Sequence, residues 1–215
     1  MKTLRSILAL CALVLSPYLL AAQSGGVLSI STSPTATTAD YDKVVAALKA
    51  KGLWEMYWSF HAMATAQPAG LFSLGIFPNR DAFNKRMEAV QPVFAQAGAK
   101  PNVQVYDIYN SFMGVVPATS PATGIVVHFD AAGMTAAQYD QILVELKKVM
   151  SFPPPGQISH VCYKTDDGLR VIDVWESPEA FAAMGEKLMP ILQNLGVNTG
   201  PPIIYSLYNF LKTSN

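Results

Sequence analysis

The sequence predicts an α+β protein made of two tandem units, each with the element order β-α-β-β-α-β. The first observation behind this prediction is an internal repeat, because matched residues recur in the same order at an offset of 98 or 99 positions. The matches include Tyr41 with Tyr139, His61 with His160, Phe83 with Phe181, and Tyr109 with Tyr208. The second observation is that strand-like runs and amphipathic helical stripes follow one another in the same order in both halves.

The repeat predicts where the units begin and end. The first unit covers residues 23–114 and the second covers residues 124–215, with residues 115–123 as a linker between them. The linker contains the run Pro117-Ala118-Thr119-Ser120-Pro121, which is rich in residues that favour turns. We refer to the two units below as the first half and the second half.

In the second half, strands are predicted at residues 125–129, 158–163, 169–175 and 203–210 from their β-branched, aromatic or alternating runs. The first helix has an apolar stripe at i, i+3, i+4 and i+7 that begins at Tyr139. Three prolines at 153–155 end this helix region, because proline cannot continue a helix. The second helix begins at Ser177-Pro178-Glu179, which combines an N-cap, a proline at the first position and an acid near the positive end.

The first half repeats this order. Its strands are predicted at residues 27–31, 53–61, 71–77 and 103–110, and its helices carry stripes that begin at Tyr41 and Phe83. The order is the ferredoxin-like motif, whose sheet has helices on one face only. Because the other face must also be covered, we expect the two sheets to pack face to face within one monomer of internal pseudo-twofold symmetry.

The N-terminal residues predict export. Lys2 and Arg5 precede an apolar run from residue 7 to residue 20, and small residues follow it just before Gln23. This order is typical of a cleaved secretory signal, which we place at residues 1–22. A spanning helix needs about 20 apolar residues, and this run is shorter and interrupted by Pro17. A secreted or periplasmic protein is therefore predicted, with no membrane segment after cleavage.

Composition excludes some classes of partner. The chain has 15 Lys and Arg against 15 Asp and Glu, so it lacks the basic stripe that nucleic-acid binding requires. After signal cleavage Cys162 is the remaining cysteine, which leaves no intramolecular disulfide. A nucleophilic role for Cys162 would need a third group beside His160, and no such pattern is present. A buried, unreactive thiol is the favoured interpretation.

Several runs of the second half resemble those of a known superfamily. They are Gly133-Met134-Thr135-Ala136-Ala137-Gln138-Tyr139-Asp140, Pro154-Pro155-Gly156, His160, and Val171-Ile172-Asp173-Val174-Trp175-Glu176-Ser177. These runs resemble the dimeric α/β-barrel superfamily and are similar to the antibiotic biosynthesis monooxygenase group. The resemblance covers nearly all of the second half and implies an intramolecular version of the dimeric α/β barrel. The first half has diverged, since Gly75 and Phe77 stand where the second half has Asp173 and Trp175.

The superfamily includes cofactor-independent oxygenases of aromatic compounds, haem-degrading enzymes and members without an assigned activity. The resemblance to the haem-degrading members implies an iron-ligating histidine on the second helix of a unit. Residues 81–97 and 178–195 contain no histidine, which argues against haem ligation of that kind. The sequence also has no phosphate-cradling glycine loop and no dinucleotide fingerprint, so no cofactor is predicted. Fold likeness alone does not select among the remaining activities.

The candidate site residues lie on the strands. Alternation places Asp173 on the same strand face as Val171 and Trp175. If that face looks into the space between the sheets, Asp173 is a candidate catalytic base together with His160; the alternative is that Asp173 pairs with a neighbour such as His160 or a tyrosine hydroxyl and orders the sheet. Histidines at 61, 128 and 160 come from separate strands without ligand spacing, so no metal site is predicted. The candidate ligand-binding residues are Trp175, Tyr205, Tyr208, Tyr106 and Tyr109.

Three functions fit these observations. The first is an exported protein that binds a small aromatic or apolar molecule in a cavity of the barrel. The second is a cofactor-independent monooxygenase that acts on an aromatic substrate. The third is a structural or partner-binding protein without a small ligand. The size of the cavity discriminates between them: a cavity of several hundred Å³ lined by these aromatic residues supports a ligand, whereas a filled core supports the third function.

Overall fold

The computed structural model describes residues 25–67 and 69–213, and the predicted signal segment lies outside these residues. Its helices are α1 (Thr38–Ala50), α2 (Arg80–Gln96), α3 (Ala136–Val149) and α4 (Pro178–Asn194). Its strands are β1 (Val27–Ser33), β2 (Phe60–Thr65), β3 (Leu71–Phe77), β4 (Asn102–Met113), β5 (Ile125–Met134), β6 (Gln157–Thr165), β7 (Gly168–Trp175) and β8 (Ile203–Lys212). The predicted β-α-β-β-α-β order is therefore present in both halves.

The eight strands form one closed antiparallel barrel in the order β1-β3-β2-β8-β5-β7-β6-β4. Within each half the strand order is fourth, first, third, second, which is the ferredoxin-like arrangement. The last strand of each half then pairs with the second strand of the other half, β4 with β6 and β8 with β2. These two exchanged pairings close the barrel, and they confirm the predicted intramolecular α/β barrel.

Apolar side chains from all eight strands fill the barrel interior. Ile172 and Val174 of β7 belong to this interior cluster. Asp173 lies between them on the strand and points the other way, so it faces α3 and α4. Asp173 therefore does not look into the space between the sheets, which was the condition for its predicted role as a base.

The helices lie outside the barrel and begin at capping residues that the sequence repeats. Thr37 caps α1 in a capping box with Asp40, and Thr135 caps α3 in the same way with Gln138. Ser177 caps α4, and Pro178 occupies its first turn as predicted. Among the described residues, no helix is both long and apolar enough to cross a membrane.

The predicted strand at residues 53–61 is wrong over most of its length, because β2 begins only at Phe60. Tyr57 has a φ of 67°, in the left-handed region that an extended strand does not use. The Arg86 guanidinium of α2 donates hydrogen bonds to the carbonyl oxygens of Leu53 and Met56, at 2.7 Å and 2.9 Å. These bonds hold the segment in turns against α2, where Trp54 is buried and Trp58 partly buried outside the sheet, while Tyr57 is 40% exposed.

Candidate functional site

The second half contains a cavity between its sheet and helices α3 and α4. Its volume is about 70 Å³, which is several times the roughly 10–15 Å³ that one water molecule needs but below the several hundred Å³ expected from the sequence for a ligand cavity. The walls are mainly apolar and come from both helices and from β4, β5, β6 and β7. The polar side chains that reach it from the sheet and from α3 are Tyr139, Gln157, His160 and Asp173. The site therefore lies outside the barrel wall, not between the two sheets.

Three of these polar groups form a chain of short hydrogen bonds. The Tyr139 hydroxyl lies 2.7 Å from His160 Nε2, and His160 Nδ1 lies 2.7 Å from Asp173 Oδ1. All three side chains are buried, with Tyr139 only 2% exposed. The sequence placed Asp173 and His160 together, and β6 and β7 pair them directly across the sheet.

The direction of the chain follows from the chemistry of its ends. An ionised carboxylate only accepts, so His160 Nδ1–H donates to Asp173. When the imidazole is neutral, His160 Nε2 accepts a hydrogen bond from the Tyr139 hydroxyl. Burial raises the pKa of Tyr139 far above its ordinary value, which keeps that hydroxyl protonated as the donor. The imidazole is thus held in one tautomer and one orientation beside the cavity.

The first half supplies part of this site through β4. The Asn110 side-chain amide donates to the Tyr139 hydroxyl at 2.9 Å. Phe112 stacks on the His160 ring, with ring centroids 4.4 Å apart and an interplanar angle of 12°. These contacts exist because β4 pairs with β6, which brings Phe112 opposite His160. The site is therefore built across the junction of the two halves.

The corresponding place in the first half is filled by protein. Tyr41 and His61 are present, at 3.4 Å, but Gly75 stands where the second half has Asp173. The Trp58 ring packs on His61 with centroids 4.1 Å apart, and the Arg86 guanidinium lies 3.7 Å above Trp58. A side chain at Gly75 would meet the Ser29 hydroxyl oxygen, because a Cβ there would lie 2.9 Å from it. The first half therefore keeps the histidine without its carboxylate.

This difference predicts a pH effect on stability. Burial, with a smaller contribution from Arg86, lowers the pKa of His61 from 6.5 to about 3. Between these values the unfolded state binds a proton that the folded state does not, so the free energy of unfolding falls as the pH falls. His61→Phe is expected to reduce this slope by up to about 1.4 kcal/mol per pH unit. Urea denaturation at several pH values from about 4 to 7.5 measures it, and an unchanged slope in the variant contradicts the assignment.

The five aromatic residues predicted to bind a ligand lie elsewhere. Trp175 is fully buried in a separate cluster under α4. Tyr205 stacks on Phe72, with ring centroids 4.3 Å apart, and Tyr106 packs against Tyr163. The hydroxyls of Tyr109 and Tyr208 donate to Asp140 and Asp42 at the first helix of the opposite half. None of these five is among the described residues that line the cavity.

His128 and Cys162, which the sequence analysis also considered, lie apart from the cavity lining. His128 Nε2 lies 2.8 Å from the Tyr163 hydroxyl, away from His160. Cys162 is completely buried, and burial raises the pKa of its thiol well above the ordinary value. A thiol kept protonated in this way is a poor nucleophile, in agreement with the interpretation of Cys162 as unreactive.

Sequence reasoning did not assign Tyr139, Asn110, Phe112 or Gln157 to the site. The one available signal was the repeat, which pairs Tyr41 with Tyr139 and so marks a tyrosine kept in both halves. Asn110 also has a counterpart in the repeat, Asn209. Both matches can be seen in the sequence, but they do not indicate that β4 of the first half pairs with β6 of the second half.

A groove adjoins the cavity along α4. Its volume is about 650 Å³, and it is lined by α4, by Phe129 of β5 and by the segment 197–202. Five residues line both the groove and the cavity, namely Phe129, Met184, Leu188, Leu192 and Thr199. The cavity and the groove are therefore neighbours that share a wall.

Comparison with solved structures finds similar folds. A candidate monooxygenase from Lactobacillus acidophilus NCFM has a TM-score of 0.63 at 10% identity, covering 88% of this chain and 97% of that chain. A candidate monooxygenase from Fusobacterium nucleatum subsp. nucleatum ATCC 25586 has a TM-score of 0.62 at 10% identity, covering 86% and 93%. A mutant chlorite dismutase from Candidatus Nitrospira defluvii has a TM-score of 0.52 at 10% identity, covering 86% and 92%. No family model and no curated protein matches the sequence.

Similarity at this level of identity establishes the fold. The chain has the ferredoxin-like α/β-barrel fold of these proteins, and the predicted resemblance is confirmed at that level. The residues do not fit the haem site that the resemblance would imply, because neither α2 nor α4 carries a histidine. The chemistry of this chain must therefore be argued from its own cavity.

Proposed function

We propose that the second half binds a small aromatic or apolar molecule in the cavity beside Tyr139, His160 and Asp173. The observation that supports this proposal is a fully connected polar chain at the wall of an otherwise apolar cavity. Ligand sites commonly have this composition, in which apolar walls provide affinity and a few polar groups fix orientation. The first half acts as a scaffold that contributes Asn110 and Phe112.

The contrast between the halves strengthens the proposal. In the first half the same place is filled, with Trp58 packed edge-on against His61 and Arg86 over Trp58. In the second half the matched positions carry Gln157 and Met184, which line a cavity. A space kept open in one half and filled in the other is expected for a binding site.

A cavity-filling variant tests the binding proposal. Leu143 is half-buried on α3 and lines the cavity, so Leu143→Trp is expected to fill it with little loss of stability. Wild-type protein should quench or shift its tryptophan fluorescence on titration with 1-naphthol, and the variant should bind at least about tenfold more weakly, since a bulky group then occupies the site. The matched control is Val144→Trp, which adds the same ring at the adjacent, 49% exposed position. Equal loss in both variants, or no binding by wild type, contradicts the proposal.

The second candidate function is a cofactor-independent monooxygenase. The favouring observation is that a buried carboxylate and an imidazole, joined at 2.7 Å, line the cavity, where Asp173, oriented by His160, could remove a proton from an activated substrate carbon. The resulting carbanion would react with O₂. In the net reaction a CH₂ group becomes a carbonyl, and the second oxygen atom leaves as water. Two of the similar structures carry the name of candidate monooxygenase, which supports this function at the level of the fold.

A further inference from the structure

The inner end of the cavity presents hydrogen-bond acceptors. The Gln157 side chain is 3% exposed and lines the cavity, and its Oε1 atom has no hydrogen-bond donor among the described residues. An unpaired buried polar atom is costly, so a donor on a ligand would be stabilising there. Asp173 lines the same cavity, and a carboxylate oxygen accepts more than one hydrogen bond. The head group of a ligand should therefore donate hydrogen bonds to Gln157 and Asp173.

Charge narrows the chemistry of that head. Asp173 is the charged side chain among the described residues that line the cavity, and no charged side chain of the described part lines the groove. An anionic head such as a carboxylate would lie beside Asp173 without a cation to offset the repulsion. A hydroxyl group satisfies the acceptors without bringing a negative charge.

The sizes of the two spaces indicate an elongated molecule. A volume of about 70 Å³ is below the roughly 300–1,000 Å³ of common ligand pockets, so the cavity holds one ring, and a second ring or a chain must extend into the neighbouring groove. The neighbouring groove of about 650 Å³ shares a mainly apolar wall with the cavity through Met184, Leu188 and Leu192. An apolar chain attached to the head would reach this groove along α4.

Gly185 keeps part of the groove open. It lies within α4 and lines the groove, and a Cβ at this position would meet no atom within 4 Å. Glycine inside a helix lowers stability by up to about 1 kcal/mol relative to alanine. A larger residue would therefore fit the helix here and would extend into the groove.

We propose that the second half binds an elongated amphiphile, with a phenol-type hydroxyl head in the cavity at Gln157 and Asp173 and an alkyl chain in the groove beside Gly185. This inference rests on the proposed function of the cavity and adds the class of ligand. The groove and the cavity then bind the same small molecule, and the groove is not a site for a partner protein.

A series of 4-alkylphenols tests the inference on the full chain. Calorimetric titration with the methyl, ethyl, butyl and hexyl compounds is expected to show affinity rising about threefold to fourfold for each buried methylene until the groove is filled. Butylbenzene, which lacks the hydroxyl, and 4-butylbenzoate, which is anionic, should both bind at least about fivefold more weakly than 4-butylphenol. Gln157→Leu should reduce the preference for 4-butylphenol over butylbenzene.

The variant Gly185→Leu tests whether the alkyl chain of the ligand lies in the groove. This variant should bind 4-methylphenol like wild type but lose the gain from longer chains, whereas Ala182→Leu, at an exposed position of α4 outside the groove, should behave like wild type. Thermal unfolding should show both variants folded. If the gain persists in Gly185→Leu, the chain lies elsewhere and the inference is wrong. If that variant instead changes the oligomeric state without changing alkylphenol affinity, the groove is a protein interface.

The outcomes separate this inference from the proposed function. If 4-methylphenol binds but longer chains add nothing, the cavity is a ligand site and the elongated ligand is refuted. If no member of the series and no naphthol binds, the binding function itself is refuted. If the benzoate binds better than the phenol, the assignment of a hydroxyl head is refuted.

Discussion

Trp175→Ala is expected to lower the free energy of unfolding by about 3–5 kcal/mol, because it removes a large side chain from a well-packed core. Trp175 is 0% exposed and belongs to a cluster with Met184 and the neighbouring Phe181, whose ring centroid is 5.9 Å away. Urea denaturation measures the loss. The sequence predicted a ligand-binding role for Trp175. A core residue affects stability when it is replaced, whereas a ligand-binding residue affects affinity.

The matched control for this variant comes from the chain itself. The first half has Phe77 at the corresponding position, so Trp175→Phe imitates a residue that the fold already accepts. The indole Nε1 of Trp175 has no hydrogen-bond acceptor among the described residues, so its removal should cost little. We expect a loss below about 2 kcal/mol for Trp175→Phe. If Trp175→Ala stays stable but no longer binds 1-naphthol, Trp175 is a ligand-binding residue after all.

Asp173→Asn is expected to lower the free energy of unfolding by about 1–3 kcal/mol, since it replaces a buried charge-assisted hydrogen bond to His160 by a neutral one. Asp140→Asn is the matched control, because Asp140 is an exposed carboxylate that accepts a hydrogen bond from Tyr109. Exposed substitutions of this kind usually change stability by less than about 0.5 kcal/mol. Chemical denaturation of both variants gives the comparison.

The same substitution distinguishes the two candidate functions. If Asp173 only orders the imidazole, the Asn variant is less stable and oxygen uptake with a hydroxylated arene is absent in wild type and variant alike. If Asp173 is a catalytic base, wild type consumes oxygen and the variant turns over on the order of 10² more slowly. Stability in that case should hold or rise, because neutral replacement relieves a strained functional carboxylate. That second pattern would make the monooxygenase the leading function.

The sequence was sufficient for the fold because its signals are local. Strand alternation and helical stripes depend on residues a few positions apart, and the capping residues Thr135 and Ser177 mark helix starts directly. The one misplaced element, the strand at residues 53–61, depends on a distant interaction. Its aromatic residues favour a strand, but Arg86 more than 20 positions later holds the backbone of Leu53 and Met56 in turns.

The faces of β7 could not be predicted for a different reason. Alternation divided the strand into two sets, but after Gly168 every residue of β7 is buried. One set faces the barrel interior and the other faces the helices, so no polar and apolar contrast separates them. Asp173 therefore carried no sign of which side it faced. Phe112 and Asn110 were out of reach because the pairing of β4 with β6 joins strands of different halves.

The exchanged pairing of β4 and β6 also limits how the two halves can evolve apart. The first half has Gly75 and no carboxylate opposite its own histidine, and Trp58 and Arg86 pack around that histidine. Its last strand still carries Asn110 and Phe112, which hold Tyr139 and His160 in the other half. If the second half binds a ligand as proposed, selection on that site should therefore also act on a strand of the first half. Substitutions should accumulate more freely around His61 than along β4.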